Sequence, residues 1–283
     1  MKHDVLTKVF ILLSVFGGLL LSSALAQPPA KRRTVQFSGY RWTVKQGEQP
    51  MGPGPGYFSG REEDVFVDKE GRLHLRIAQH DGRWYSTEVI CEKSLGYGTY
   101  VFYLATRMDN LNPNAVLGLY TWDDNTFPTD ANSEIDIEFS KWADPGQKIL
   151  QFTVQPTQGP DVPEGGRYHE RYTEFDWPSN NPKSAHFFTW TEKSVRFESF
   201  EGHDLNRKPI EHWEYENQTQ ARRARDGANV SGPVLIPRPF RTTQARINLW
   251  QVDADNNGLG DPPAGGKDVE VVIEKFQFMP ARK

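Results

Sequence analysis

Apolar and polar residues alternate along most of this 283-residue chain, and glycine, proline and charged residues interrupt the alternation at short intervals. A period of two places every second side chain on one face of an extended strand, as in a half-buried β-strand. Alternation is clear in DVFVDKEGRLHLRIA and SEIDIEF, and further short β-like runs are WYSTEVICEKS, GTYVFYLATRM, AVLGLYTW, KILQFTVQ, HFFTWTEKSVRFESFEG, ARINLW and VEVVIEKFQFM. Many short strands separated by turns predict an all-β sandwich.

Helical periodicity is nearly absent from the sequence. The best candidate is the segment 211–225, which is polar all round and which we predict to be a helical excursion at the surface. Two loops, 49–56 and 258–266, are rich in proline and glycine. We find no internal repeat and no linker, and all-β domains of this size are common, so we predict one folded domain.

The N-terminus has the pattern of a secretory signal. Lys2 and Lys8 precede an apolar run, and small residues at Ala24 and Ala26 form a cleavage site before Gln27. The alternative is an uncleaved membrane anchor, although the run is shorter than the roughly 20 apolar residues of a spanning helix. We therefore predict a secreted or periplasmic protein with a signal peptide over 1–26, a disordered leader over 27–38 and a folded domain over 39–283.

The charge pattern and the cysteine count narrow the class of protein. The formal net charge is −4 and both signs are mixed along the chain, so we predict no nucleic-acid partner. The single cysteine, Cys91, lies in an apolar stretch. We predict that it is a small buried residue, and that the fold depends on core packing instead of a disulfide.

The segment SEIDIEF carries three acids at alternate positions. Glu134, Asp136 and Glu138 share one face of a strand, and their apolar neighbours pack on the other face. Three like charges in a row repel one another and raise one another's pKa. The pattern fits a solvated acidic face or a calcium site, and it also fits glycosidic bond cleavage. In the retaining form of that reaction, one carboxylate attacks the anomeric carbon and a protonated carboxyl gives its proton to the leaving oxygen.

The acidic string and its context resemble glycoside hydrolase family 16, the retaining β-glucanases. EIDIE matches the E-x-D-x-E signature, and the resemblance covers residues 39–280. The segments that match in the same order are VFVDKEGRLHLRI, STEVICEKSLGYGTYVFYLATRM, AVLGLYTWDD, HFFTWTEKSVRFESFEG, IPRPFRTTQARINLW and VEVVIEKFQF. The resemblance implies a β-jelly-roll sandwich of two curved antiparallel sheets with a concave glycan-binding cleft.

The resemblance also implies a reaction and its residues. Glu134 would be the nucleophile, Glu138 the acid/base and Asp136 a helper, in a secreted endo-acting hydrolase that cleaves a β-linked polysaccharide with retention. Residues expected to bind substrate are Glu88, Trp122, Gln151, Thr153, Gln155 and Trp250. A tryptophan ring can stack on a sugar, although both tryptophans can instead be core residues and Glu88 an ordinary surface carboxylate. His186 matches a family histidine, for which we predict a structural role.

Several positions depart from the family pattern. Ile90 stands where the family has a basic residue, and VFYLATRM lacks the usual charges. The loops 126–133, 161–182 and 202–238 have no close counterpart. The string without an extra residue resembles the lichenase and xyloglucan-transglycosylase branches, which favours a β-glucan substrate.

A second acidic cluster, DADNNGLGD, begins at Asp253. Asp253, Asp255, Asn257 and Gly258 fit the first half of a calcium loop, but Ala264 stands where the closing glutamate belongs. We therefore predict a solvated turn in which Asp253 reaches sugar hydroxyls. We expect no required cofactor and no catalytic metal, and a structural calcium ion stays open.

Other catalytic motifs are missing from the sequence. It contains no G-x-S-x-G, no H-E-x-x-H and no phosphate-binding G-x-x-x-x-G-K. The predicted function is therefore a monomeric hydrolase with a polysaccharide substrate and no membrane association after signal cleavage. Two alternatives remain, a transglycosylase on cell-wall glycans and a non-catalytic glycan-binding jelly roll, because one fold can serve both binding and catalysis.

Overall fold

Nineteen strands and one short 3-10 turn, Ala131–Ser133, form the regular structure of the described residues of this computed structural model. The structure describes residues 32–126, 131–155, 172–216, 220–222, 229–233 and 236–281. The strands are β1 Thr34–Phe37, β2 Tyr40–Val44, β3 Gly47–Met51, β4 Gly56–Phe58, β5 Val65–Val67, β6 Leu73–His80, β7 Arg83–Cys91, β8 Gly98–Leu104, β9 Ala115–Trp122, β10 Ile135–Ser140, β11 Leu150–Val154, β12 Tyr172–Phe175, β13 Ser184–Trp190, β14 Ser194–Glu201, β15 Glu211–Glu216, β16 Gln220–Arg222, β17 Asn229–Pro233, β18 Gln244–Gln251 and β19 Val269–Pro280.

The strands form two curved sheets, which we call the front and back sheets. The front sheet has the order β1-β2-β7-β18-β9-β10-β11-β12, and the back sheet has the order β5-β6-β19-β8-β13-β14-β15. The β6–β7 hairpin connects them. The β3–β4 hairpin adds to β7 through β4, which runs parallel to β7, whereas the other pairs are antiparallel. Strands β16 and β17 form a separate two-stranded sheet. This arrangement confirms the predicted β-jelly-roll sandwich.

Aromatic side chains join the two sheets. Trp42 of the front sheet meets Phe276 of the back sheet edge to face, with ring centroids 5.3 Å apart. Phe152 stacks on Phe197 at 5.0 Å. Such pairs add about 0.5–1.5 kcal/mol each to the free energy of burying the rings. The core between the sheets therefore holds the front sheet in place, with its other face directed away from the core.

Cys91 and His186 both belong to the core, as predicted. Cys91 is buried, and burial raises the pKa of its thiol to about 11. The His186 ring lies within hydrogen-bond distance of Ser199 Oγ (2.7 Å) and Ser184 Oγ (2.8 Å), and it packs on Phe139. Burial lowers the pKa of His186 to about 3. The imidazole therefore stays neutral and has a structural role.

The predicted helix over residues 211–225 is wrong. Glu211–Glu216 is strand β15, paired with β14, and Gln220–Arg222 is strand β16. In β15, Trp213 and Tyr215 alternate with exposed charged residues, and the Trp213 ring stacks on Phe197. A period of two was present, but the many charged residues obscured it. Residues 217–219 and 223–225 lie outside the described residues.

The predicted leader is too long by several residues. Thr34–Phe37 form β1, which pairs with β2, and Phe37 is buried against Trp42. The short strand was missed because only four residues alternate before the turn at Ser38 and Gly39. The predicted signal peptide and residues 27–31 of the leader lie outside the described residues. None of the helices in the described part of the chain has the length and apolar character needed to cross a membrane.

Candidate active site

The acidic strand β10 lies in the front sheet between β9 and β11. Ile135, Ile137 and Phe139 are fully buried in the core. The acids alternate with them and line a cavity of about 260 Å³ on the opposite face. Asp136 is buried, whereas Glu134 and Glu138 are partly exposed to the cavity. The period of two therefore brings the three predicted catalytic carboxyls to one surface.

The backbone just before β10 is held in an unusual conformation. Asn132 and Ser133 have φ values of 58° and 53°, in the left-handed region that costs an ordinary residue about 1–2 kcal/mol. Asn132 Nδ2 donates to the carbonyl of Asp123 (2.8 Å), and Ser133 Oγ donates to the carbonyl of Arg238 (2.7 Å). These contacts offset the strain and hold Glu134 at the edge of the cavity.

Burial and mutual repulsion raise the pKa values of the acids. The pKa of Glu134 is raised to about 8, first by burial and then by the charge of Glu138, against the hydrogen bond from Asp136 and the charge of Arg246. Burial raises the pKa of Asp136 well above its usual range, and both glutamates add to the effect. Asp136 therefore keeps its proton and, once Glu134 ionises near pH 8, donates it in a hydrogen bond to the Glu134 carboxylate. This donation favours ionised Glu134 over ionised Asp136.

The raised pKa of Glu134 makes a prediction about stability. An unfolded glutamate has a pKa near 4.3, so between about pH 4.5 and 8 the folded protein binds more protons than the unfolded chain. The free energy of unfolding should then fall as pH rises through this window. Glu134→Gln removes the titrating group. We expect it to raise the Tm at pH 8 by about 3 °C or more, since one pKa unit is about 1.4 kcal/mol.

Thermal melts from pH 5 to pH 9 would test this prediction. The wild type and Glu134→Gln should agree closely at pH 5 and diverge as the pH rises. Glu62→Gln, at an exposed glutamate, is the matched control and should follow the wild type throughout. A lower Tm for Glu134→Gln than for the wild type at pH 8 would contradict the conclusion that ionised Glu134 destabilises the folded protein.

The cavity floor comes from the two strands next to β10. Across β9, Gly118 lies opposite Glu138 and Tyr120 lies opposite Asp136. On β18, Asn248 and Arg246 continue the same two rows. A Cβ atom on Gly118 would lie 2.4 Å from Asn248 Oδ1, so glycine leaves room for the amide beside the acids. The residues lining the cavity are Lys45, Gly52, Pro53, Gly118, Tyr120, Trp122, Asp124, Glu134, Asp136, Glu138, Arg246, Asn248 and Trp250.

Glu88 faces the same side of the sheet as Asn248, but it is covered by its neighbours and does not line the cavity, which corrects its prediction as a direct sugar ligand. It is fully buried, with one carboxylate oxygen 2.8 Å from Lys45 Nζ and the other 3.4 Å from Arg246 Nη1. A buried carboxylate needs such partners because desolvation of an unpaired charge is costly. Glu88 therefore orients two cations whose side chains do line the cavity.

Arg246 supplies positive charge near the position where Ile90 departs from the family pattern. The two residues face each other across β7 and β18. Arg246 is buried and also pairs with Asp124, with Nη2 at 2.8 Å from Oδ2. The missing basic residue on β7 is thus matched by an arginine on the neighbouring strand. The position of Arg246 next to Ile90 depends on the pairing of β18 with β7, two strands that are far apart in the chain.

The two tryptophans differ in their surroundings. Trp122 lines the cavity and is partly exposed, and its indole Nε1 donates to Asp124 Oδ1 at 2.7 Å, which fixes the ring. Trp250 also lines the cavity but is mostly covered, because Trp142 packs on it and a Cβ on Gly54 would lie 2.4 Å from its ring. Trp122 remains a candidate sugar platform, whereas the Trp250 ring is mostly buried and contributes to the wall of the cavity.

The three polar residues predicted after the catalytic strand lie beside the acids. On β11, Gln151 pairs with Glu138, and Thr153 pairs with Asp136. Both are buried, and Gln151 Nε2 donates to Glu174 at 3.1 Å. Gln155 hydrogen-bonds the Asp136 carboxyl. None of the three is among the lining residues of the cavity, so they support the acids from the side.

Asp253 does not reach the cavity, which corrects its prediction as a sugar contact. Its carboxylate oxygens accept hydrogen bonds from the backbone N–H of Asn257 (3.0 Å) and Gly258 (3.1 Å) and close a surface turn. Among the described residues, no group of three or more His, Cys, Asp or Glu side chains is arranged to hold a metal ion.

Sequence reasoning missed eight residues that line the cavity, and five of them have polar or charged side chains: Lys45, Tyr120, Asp124, Arg246 and Asn248. Alternation could have found three of them. Tyr120 lies two positions before Trp122 on β9, and Arg246 and Asn248 lie four and two positions before Trp250 on β18. Lys45 and Asp124 lie just beyond the ends of β2 and β9. There the alternation of a strand no longer predicts which face of the sheet a side chain occupies.

No family model matches the chain, and no curated protein matches its sequence. Solved structures match its fold. A β-glucanase of Bacillus licheniformis is 16% identical, with a TM-score of 0.55, over 90% of this chain and 100% of that chain. A structure from the human gut microbiota, described with endo-acting O-glycanases that initiate mucin breakdown, is 18% identical, with a TM-score of 0.56, over 87% and 93%.

A third similar structure is described as an immunostimulatory antigen and pseudo β-1,3-glucanase of Mycobacterium tuberculosis. It is 15% identical, with a TM-score of 0.55, over 85% of this chain and 91% of that chain. At these identities the likeness concerns the fold. The chain has the jelly-roll fold of β-glucanases and other glycosidic hydrolases.

Proposed function

We propose that the protein is a secreted, endo-acting glycoside hydrolase that cleaves a β-linked polysaccharide, with a β-glucan as the expected class, and retains the anomeric configuration. The observation that carries the proposal is the placement of Glu134, Asp136 and Glu138 in one cavity beside the fixed ring of Trp122. Paired carboxyls beside an aromatic platform are what glycosidic cleavage requires. The fold, shared with β-glucanases, agrees with it.

The proposed mechanism has two displacements. In the first, the Glu134 carboxylate attacks the anomeric carbon while Glu138 gives its proton to the glycosidic oxygen, which leaves as a hydroxyl. In the second, Glu138 takes a proton from water, and the resulting hydroxide displaces Glu134 from the sugar. Asp136 keeps its proton and donates a hydrogen bond to Glu134, which stabilises the ionised nucleophile.

Two other functions use the same site. In a transglycosylase, a sugar hydroxyl replaces water in the second step. A non-catalytic glycan-binding protein is favoured by one observation, the similar fold of the pseudo β-1,3-glucanase. The crowding of Glu134, Asp136 and Glu138 on one face speaks against pure binding, because placing carboxyls so close that their pKa values rise reduces stability and serves no purpose in holding a neutral sugar.

The remaining expectations belong to the same proposal. The protein would act as a monomer in a secreted or periplasmic location, on a polysaccharide, without nucleic acid. The reaction as proposed needs no cofactor, since both groups that it uses come from the chain. A structural calcium ion stays open, and activity with and without a chelator would test for it.

A substrate panel tests the proposal directly. We expect the purified protein to release reducing ends from barley mixed-linkage glucan or another β-glucan, and not from agarose, carrageenan or chitin oligomers. Glu134→Gln should release none, and Glu62→Gln should behave as the wild type. NMR of the first product should show the β anomer.

Each result of the panel has a definite meaning. Release of the α anomer would overturn retention. Cleavage that survives Glu134→Gln would overturn the site. Binding to a glucan without cleavage by the wild type would support a binding protein, or a transglycosylase if an added acceptor oligosaccharide restores transfer.

A further inference from the structure

Lys45 lies at the far side of the cavity from the acids. In the front sheet, Glu138 pairs with Gly118, Gly118 with Asn248, and Asn248 with Glu88, so the four residues form one row across the strands. Three strand spacings separate the ends of the row, about 14 Å. Lys45 Nζ lies 2.8 Å from the Glu88 carboxylate, and Lys45 and Glu138 line the same cavity.

The position of the ammonium group is determined by its partners. Lys45 Nζ donates to Glu88 and to the carbonyl of Gly52, and it lies 4.3 Å from the ring centroid of Phe58. The side chain is 18% exposed. An ammonium group carries three N–H donors, and these two acceptors leave one donor for a ligand in the cavity.

An apolar surface lies close to this donor. Pro53 and Trp250 line the same cavity, and Gly54 packs against the Trp250 ring. Pro53 and Gly54 belong to the loop between β3 and β4. The amide N–H of Gly260 donates to the carbonyl of Pro55 in the same loop at 2.7 Å and holds the loop in place. A sugar presents C–H groups on its faces and hydroxyls at its edge, so it fits an apolar wall with one fixed donor.

We propose that Lys45, with Pro53, forms a distal sugar subsite that only longer oligosaccharides reach. The inference rests on the proposed function, because it assumes that a β-linked glycan lies along the row from Glu138 to Glu88. Lys45 donates a charge-assisted hydrogen bond to a sugar hydroxyl, and Glu88 keeps the ammonium in position. Lys45 is thus a specificity residue for chain length and takes no part in the chemistry.

Binding measurements over a series of oligosaccharides test the subsite. Calorimetry on the Glu134→Gln protein avoids cleavage and uses β-1,3 and mixed-linkage gluco-oligosaccharides from the disaccharide to the hexasaccharide. Lys45→Met should weaken binding of the longest ones about tenfold and leave the disaccharide unchanged. Lys69 has a side chain that is 90% exposed, and Lys69→Met is the control. It should change the affinity for neither the longest oligosaccharides nor the disaccharide.

Lys45→Arg provides a second probe that keeps the ion pair with Glu88. Its bulkier head displaces the donor, so the longer oligosaccharides should again lose affinity selectively. If either folded variant loses affinity equally at every length, or at none, the subsite is wrong while the proposed function stands. If the wild type neither binds nor cleaves any oligosaccharide, both proposals fail.

Discussion

Glu134→Gln is expected to reduce turnover by about 10⁴-fold or more while glycan binding remains. The amide keeps the shape of the side chain, but it cannot attack the anomeric carbon, so the covalent intermediate does not form. Steady-state assays on the glucan identified by the panel, together with calorimetry on the same protein, measure both effects. Turnover within about tenfold of the wild type would remove Glu134 from the mechanism.

A small external nucleophile distinguishes this role from the others. In Glu134→Ala, azide can enter the space of the lost carboxylate and displace an activated aryl leaving group once, which yields the α-glycosyl azide from a β-glycoside. The β-glycosyl azide from this variant would instead indicate that another residue forms the covalent intermediate. Glu62→Ala should yield neither product.

Glu138→Gln is expected to show the second largest effect, and its size should depend on the leaving group. Loss of a general acid costs about 10²–10⁴-fold when the leaving oxygen needs a proton, as in a polysaccharide. An aryl glycoside with an acidic phenol leaves without protonation, so formation of the glycosyl-enzyme should be nearly normal. Burst kinetics on the aryl glycoside and steady-state rates on the polysaccharide measure the two cases.

Azide provides the control for this second prediction. In Glu138→Ala it should attack the glycosyl-enzyme formed on Glu134 and yield the β-glycosyl azide, because two displacements restore the configuration. An equal loss of rate on both substrates would show that Glu138 is not the proton donor. The two acids would then have to exchange roles, or the acid would be a different residue.

The two predictions rest on features of the chain that differ in how far sequence reveals them. The shared face of Glu134, Asp136 and Glu138 follows from a period of two, because Ile135, Ile137 and Phe139 can enter the core in only one way. The short β-like run AVLGLYTW also predicted β9 at its observed bounds. The period of two is present in β15, but it was not recognised there, because the many charged residues of this strand hid the alternation. The Trp213 ring of β15 stacks on Phe197 and holds the strand against the back sheet.

The surroundings of the acids could not be derived in the same way. Glu88 was predicted to contact the sugar, yet it is fully buried, because Lys45 and Arg246 cover its carboxylate. Asp253 was predicted to reach sugar hydroxyls from a solvated turn, but its carboxylate closes that turn instead. The surroundings of Glu88 and Asp253 depend on burial and on contacts with other segments. Such contacts produce no periodic pattern in the sequence.

The sequence by itself determined the all-β class, the core face of the acidic strand and the chemistry that three adjacent carboxyls permit, because alternation and residue type are local properties. Only the tertiary structure decided which groups surround those carboxyls. It placed Arg246 opposite Ile90 and Glu88 three strand spacings from Glu138, with Lys45 beside Glu88, and it covered Trp250 with Gly54. Strand order and register bring together residues far apart in the chain, and electrostatics at the acids depend on that proximity.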